Sequence, residues 1–206
     1  MFDLSLYLVT DSGLCGERRL EDIVEAAVQG GCTMVQLREK NLDTGTFVAR
    51  ARILKKVLAP YHVPLIINDR VDVALAVDAE GVHLGQSDMS IEDARRLLGN
   101  KIIGWSVESM NDVRRANELD VDYIGISPVF ATPTKTDTAQ PFRIEGTRQA
   151  VALSTHPTVG IGGINRHTID SLRDCGLDGV AVVSDIMLAD EPRVVAQTLL
   201  NQMKQK

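Results

Sequence analysis

Eight short apolar runs alternate with eight amphipathic stretches along the whole chain, and that alternation leaves few folds open. The apolar runs cover residues 6–10, 34–38, 64–68, 81–85, 102–106, 123–130, 158–162 and 179–184. Their length and richness in Val, Ile and Leu suit strands buried on both faces. The stretches between and after them cover 20–29, 44–58, 71–77, 91–98, 110–118, 144–153, 168–173 and 193–203, with apolar residues three and four apart, as at Ile23, Ala26 and Ala27. Gly30, Gly31, Gly99 and Gly176 fall at element edges, and Ser90, Asn111 and Asn165 stand where helix N-caps are expected. Gly146 fits less well, inside a first helical turn. Eight β-α units without a linker-like change of composition predict an α/β fold: a single-domain (β/α)8 TIM barrel spanning residues 1–206. A doubly wound open sheet is the structural rival, because strand count alone does not close a barrel.

Composition sets the outer limits on function. A chain of 206 residues with 44% hydrophobic and 24% charged residues fills one core and is not disordered. A net charge of −6 argues against broad electrostatic attraction to nucleic acid, so no nucleic-acid partner is expected. It permits a phosphorylated small molecule, since local cations or a metal reverse the field within a cleft. Three widely spaced cysteines, Cys15, Cys32 and Cys175, show neither a zinc pattern nor a disulfide framework and suit reduced thiols in a cytoplasm. No signal-type or membrane-spanning apolar segment is found, so no membrane partner is expected. The oligomeric state stays open, a homo-oligomer included.

In such a barrel the chemistry gathers where strands end. Alternation puts Gln36, Arg38 and Lys40 on one face of the second strand, where two cations and an amide suit a phosphate or diphosphate. The alternative is a solvated strand end. Asp69 and Asp88 follow the third and fourth strands. Two carboxylate oxygens plus substrate phosphates are what Mg2+ commonly takes, although each residue also precedes a helix and is placed to cap it. His83 has apolar neighbours and reads as a satisfied core or second-layer histidine rather than a base. Ser106 ends the fifth strand, and Trp105 beside it reads as packing between barrel and helices. Gly162 and Gly163 follow the seventh strand, and Ser184 ends the eighth, the pair of positions where barrels often hold phosphate.

Residues 123–137 run from a buried strand into a polar loop with three threonines, a lysine and an aspartate. The patternless stretch from about 131 to 143 is expected to be an active-site lid. No Ser-His-Asp or Cys-His set is evident.

Taken together, Tyr7-Leu-Val-Thr-Asp11, Val35-Gln-Leu-Arg-Glu-Lys40, Ile67-Asn-Asp-Arg70, Val82-His-Leu-Gly-Gln86, Tyr123-Ile-Gly-Ile-Ser-Pro-Val-Phe-Ala-Thr-Pro-Thr-Lys135, Gly160-Ile-Gly-Gly-Ile164 and Val180-Ala-Val-Val-Ser184 resemble, in order, the motifs of the thiamine-phosphate synthase family. The resemblance implies condensation of 4-amino-2-methyl-5-hydroxymethylpyrimidine diphosphate with a thiazole phosphate, with Mg2+ required and a dissociative, carbocation-like course. By matching position, Gln36, Arg38, Lys40, Asn68, Ser106 and Lys135 would hold the pyrimidine diphosphate. Arg38, Lys40, Ser106 and Lys135 among them would act on the departing group, and Asp69 and Asp88 would hold Mg2+. Thr132, Thr134, Gly163, Val183 and Ser184 would hold the thiazole phosphate. Trp105, Glu108, Ser127 and Asp185 depart from the family pattern. Of these Asp185 matters most, since a carboxylate repels phosphate unless it faces away, as strand alternation from Ser184 suggests. Two alternatives accompany this reading. Thiazole tautomerase-like relatives use a histidine on the sixth strand, which 125–130 lacks. A catalytically silent, ligand-binding regulatory barrel would be favoured by loss of Asp69, Asp88 or Lys135, and all three are present.

Overall fold

The computed structural model describes residues 2–131 and 140–204. Eight parallel strands, β1 (Leu6–Val9), β2 (Met34–Leu37), β3 (Leu65–Asn68), β4 (Gly81–Leu84), β5 (Ile102–Val107), β6 (Tyr123–Ile126), β7 (Thr158–Ile161) and β8 (Gly179–Val182), pair in sequence order. The β1–β8 ladder, with Leu6 opposite Val180 and Leu8 opposite Val182, closes the barrel and removes the open-sheet rival. Helices α1 (Leu20–Gln29), α2 (Thr44–Leu58), α3 (Val71–Val77), α4 (Ile91–Leu98), α5 (Met110–Ala116) and α6 (Arg143–Leu153) follow the first six strands. A 3-10 helix (Ile169–Cys175) follows β7, while a short helix α7 (Ser184–Met187) and then α8 (Pro192–Lys204) follow β8.

Strand parity creates two apolar layers. Leu6, Leu8, Val35, Leu37, Leu65 and Ile67 point outward into the core shared with the helices. Tyr7, Val9, Met34, Ile66, Tyr123, Val159 and Ala181 fill the barrel itself. Both layers are needed because a strand covered on two sides must be apolar on both faces. Trp105 lies in the outer core, with the Arg115 guanidinium 5.3 Å from its ring centroid, so its packing role holds.

Helix starts follow local hydrogen bonding. Ser90 caps α4 by accepting from the Asp93 N–H at 3.2 Å, and Asp43 caps α2 by accepting from the Thr46 N–H at 2.9 Å. The expected cap at Asn111 is instead Ser109, which accepts from the Asp112 N–H; Asn111 already lies within α5. Asn165 caps no helix either, its side chain accepting from the His167 N–H two residues on in an Asx turn. Gly146 does sit within α6, with Phe142 packed where its side chain would project. The eighth strand stops at Val182 rather than 184, because Ser184 opens α7. Among the described residues no helix is long and apolar enough to cross a membrane.

Candidate active site

Inward-facing residues at the C-terminal ends of β2 to β6 enclose a cavity of about 300 Å³. Gln36, Arg38, Lys40, Asn68, Asp69, Asp88 and Ser106 all line it, so the residues marked out at the ends of β2, β3, β4 and β5 do converge. Gly163, Val183 and Ser184 lie outside this cavity, at the ends of β7 and β8. Thr132, Thr134 and Lys135, with most of the expected lid, lie outside the described residues. Arg143, the last residue of that expected loop, is the first of α6. The stem beneath is fixed on both sides. Val129 and Phe130 donate backbone N–H groups to Ile161 and Gly162, while Phe142 and Arg143 donate to Pro128 and Val129.

The charged rim is built from mutually compensating side chains. Lys40 Nζ meets Asp69 Oδ2 at 2.5 Å, and the Arg38 guanidinium lies 4.0 Å from Asp11. Glu39, nearly fully buried, pairs with Arg50 and accepts from Ser12, so the residue between the two cations is anchored away from them. The Arg38 N–H donates to the buried Thr10 hydroxyl at 3.1 Å, tying β2's end to β1.

Neither carboxylate serves as the expected helix cap. Asp88 accepts from the Gly85 N–H at 2.6 Å within its own turn, and Ser90 caps the helix that follows. The residue at the N-cap of α3 is Arg70, with no side-chain cap, and Asp69 adopts a left-handed φ of 61° just before it. Burial, reinforced by the Asp69 carboxylate beside it, pushes the Asp88 carboxyl above its ordinary range, against the lowering effect of the Gly85 N–H. Two carboxylates that repel each other beside a phosphate-sized space are a donor set suited to a hard divalent cation. Among the described residues no group of three or more His, Cys, Asp or Glu forms a closed metal cage. An ion here would therefore take further oxygens from substrate and water.

Below the rim the lining side chains are linked in a hydrogen-bonded chain. Gln36 Nε2 donates to the Tyr7 hydroxyl at 2.9 Å, which lies 3.0 Å from the Tyr123 hydroxyl. Tyr123 is 2.9 Å from His83 Nδ1, and His83 Nε2 is 2.9 Å from Ser106 Oγ. His83 is thus the satisfied second-layer residue expected, though it also lines the cavity. Burial drives both tyrosine pKa values up, so both remain neutral. Tyr7 and Tyr123 are not among the residues that the sequence pattern marks out as site residues. Their signal was available: a tyrosine pointing into a barrel must find a partner for its hydroxyl. Asn68, by contrast, is buried and its Nδ2 has no partner among the described residues, which leaves it available to a ligand.

The β7–β8 side is built mainly from backbone. Gly162 and Gly163 have φ of 99° and 66°, and a Cβ on Gly163 would come within 2.7 Å of Phe130 Cβ. Glycine is demanded here by geometry alone. The expectation for Asp185 needs a different reason from strand alternation, because it lies in a helix. Arg166 binds it through both its guanidinium and its backbone N–H, at 2.8–3.3 Å, so its charge is directed to that arginine.

Comparison with known proteins decides the family. The family model described as "Thiamine monophosphate synthase" matches residues 6–186. The chain belongs to the thiamine monophosphate synthase family. It is 56% identical over 197 residues to a thiamine-phosphate synthase from Albidiferax ferrireducens, covering 95% of this chain and 90% of that one. It is 50% identical over 200 residues to the one from Vibrio campbellii, covering 97% and 98%. Among solved structures, thiamine phosphate pyrophosphorylase from Pyrococcus furiosus superposes with a TM-score of 0.91 at 37% identity, covering 98% of this chain and 96% of that one. The 56% and 50% identities to thiamine-phosphate synthases agree with the missing sixth-strand histidine in favouring the synthase over the tautomerase alternative.

Proposed function

We propose that this protein condenses 4-amino-2-methyl-5-hydroxymethylpyrimidine diphosphate with a thiazole phosphate, releasing pyrophosphate and forming thiamine phosphate. The observation that carries the reading is the convergence of Arg38, Lys40, Asn68, Asp69 and Asp88 on one cavity within a family match that runs nearly end to end. In the reaction the bond between the pyrimidine's methylene carbon and the diphosphate oxygen breaks, and its electrons leave with the diphosphate. The thiazole nitrogen then supplies the pair for the new carbon–nitrogen bond. No proton has to be removed from carbon, which agrees with a rim of cations and carboxylates rather than a base.

Arg38 and Lys40 stabilise the charge growing on the departing diphosphate, Arg38 through a forked donor and Lys40 as a point charge. Asn68 Nδ2 donates to a ligand oxygen or ring nitrogen. Ser106 and Gln36 orient the pyrimidine from below. Asp69 and Asp88 would hold Mg2+, which when bound supplies charge neutralisation to the diphosphate. Lys40 must then share or surrender Asp69, freeing its ammonium for the phosphate. Gly163, Val183 and Ser184 receive the thiazole phosphate together with Thr132 and Thr134, and Lys135 meets the diphosphate.

The wider setting follows from the same reading. The partners are these two small phosphorylated substrates, with no nucleic acid or membrane involved, and three buried free cysteines suit the cytoplasm. The test is direct: mixing the protein with both substrates and Mg2+ is expected to release pyrophosphate and form thiamine phosphate. Substrate binding without release would establish the silent regulatory barrel instead.

A further inference from the structure

The hydrogen-bonded chain across the barrel floor has a property that none of its members has alone: a direction. Gln36 Nε2 donates to Tyr7 Oη, so the single Tyr7 proton goes to Tyr123 Oη. The Tyr123 proton then goes to His83 Nδ1, which places the imidazole proton on Nε2, donating to Ser106 Oγ. The Ser106 proton is thereby left for the cavity. The reverse arrangement is equally complete. With the Gln36 amide turned over, its oxygen accepts from Tyr7, His83 carries its proton on Nδ1, and Ser106 donates to Nε2. Each hydroxyl has one proton, so the orientation of one link sets all the others. Both tyrosines are fully buried and resist ionisation, so neither can serve as an acceptor-only break in the chain.

The two settings present different faces. In the first, the cavity meets the Gln36 carbonyl oxygen, which has no partner among the described residues, together with a Ser106 donor. In the second it meets an amide N–H and a Ser106 acceptor. An amino-substituted pyrimidine offers a donor beside an acceptor ring nitrogen. Its oxo counterpart offers the opposite pair.

We propose that Tyr7, Tyr123 and His83 are positioning residues that lock the Gln36 amide and the Ser106 hydroxyl into matched orientations, and so select an amino-substituted pyrimidine over its oxo counterpart. The inference rests on the proposed function for the identity of the ring, but the relay itself stands on geometry. The chain is also built into the barrel. A Cβ on Gly104 would lie 2.1 Å from Tyr123 Cζ, and one on Gly125 would lie 3.2 Å from His83 Cε1, so two inward positions are kept bare for these rings. Tyr123 packs edge-on against Tyr7, with ring centroids 6.0 Å apart.

The relay is tested first without any ligand. Nitrogen-15 NMR of His83 is expected to show the proton on Nε2. Gln36→Glu, recorded where the introduced carboxylate is ionised, supplies an acceptor only and is expected to move that proton to Nδ1, three hydrogen bonds away. In a Tyr123→Phe background the same substitution should no longer affect His83. An unchanged His83 signal on Gln36→Glu would overturn the relay. The second arm measures dissociation constants for the aminopyrimidine diphosphate and its 4-oxo analogue. Tyr123→Phe is expected to reduce the amino preference about tenfold, because Gln36 can then turn over without reversing the rest. Equal weakening of both ligands, with the ratio intact, would make Tyr123 merely structural and overturn the selective role. Failure of the protein to form thiamine phosphate would refute the proposed function separately, since the His83 arm needs no substrate.

Discussion

The two sides of the barrel mouth handle negative charge by different means. On the β2–β4 side, charged side chains face the cavity and are compensated: Lys40 by Asp69, Arg38 by Asp11, and Asp88 by the Gly85 backbone N–H. On the β7–β8 side the groups proposed to meet the thiazole phosphate include two positions at the backbone, a glycine pair with left-handed φ and the start of a four-residue helix. Side chains there brace the backbone, as Arg166 does with Asp185. A rim of cations whose carboxylate partners can be exchanged suits a group that must gain charge and leave. A backbone cradle suits one that stays and only needs holding, since N–H dipoles attract phosphate without trapping it as a full counter-charge would. The first side should therefore respond to substitution in turnover, the second in binding and stability.

Arg38→Ala is the largest expected departure. Removing a preorganised donor to a developing anion costs about 10²–10³-fold in kcat, read by steady-state pyrophosphate release. An effect on KM alone would mean the two sides do not differ as argued. Gly163→Ala comes next and acts through the fold. Its φ of 66° and the 2.7 Å approach to Phe130 should together cost about 2–3 kcal/mol of stability, read by denaturant midpoint, with KM for the thiazole phosphate rising more than kcat falls. Wild-type stability would show that Phe130 can move and that the glycine is there for the ligand instead.

How far each side was legible in the sequence follows the same division. Gln36, Arg38 and Lys40 were found by parity, because a strand of period two fixes which residues share a face. The eight strands are legible for the same reason; most ends differ from expectation by one residue, and the larger differences come where a loop continues the apolar run, as after Ile126 and Val182. Backbone sites leave no such trace. Gly162 and Gly163 read equally as a turn or a cradle, and the α7 start was hidden because Ser184 looked like the end of a strand. The Tyr7–Tyr123–His83 chain was missed for a third reason: its partners come from β1, β6 and β4, and no local pattern links strands so far apart in sequence.

Asp88→Asn sharpens the carboxylate pair. With one of the two proposed anionic ligands lost, half-maximal activity should need about tenfold more Mg2+, while the Gly85 N–H keeps its acceptor and the turn survives. An unchanged metal titration would leave Asp88 as a turn-forming residue and Asp69 paired with Lys40 alone.

The smallest effect belongs to the brace on the far side. Arg166 is partly exposed and Asp185 is not, with side-chain exposures of 42% and 13%. Arg166→Ala therefore leaves a poorly solvated carboxylate one residue from Ser184. The pair itself is worth no more than about 1 kcal/mol, so KM for the thiazole phosphate should rise up to about fivefold with kcat nearly unchanged. Asp185→Asn added to Arg166→Ala should recover most of that loss, because the unpaired charge is gone and an amide oxygen can still accept from the residue 166 N–H. If the double variant is no better than the single one, Arg166 contacts the phosphate itself, and the β7–β8 side holds its anion with a side chain after all.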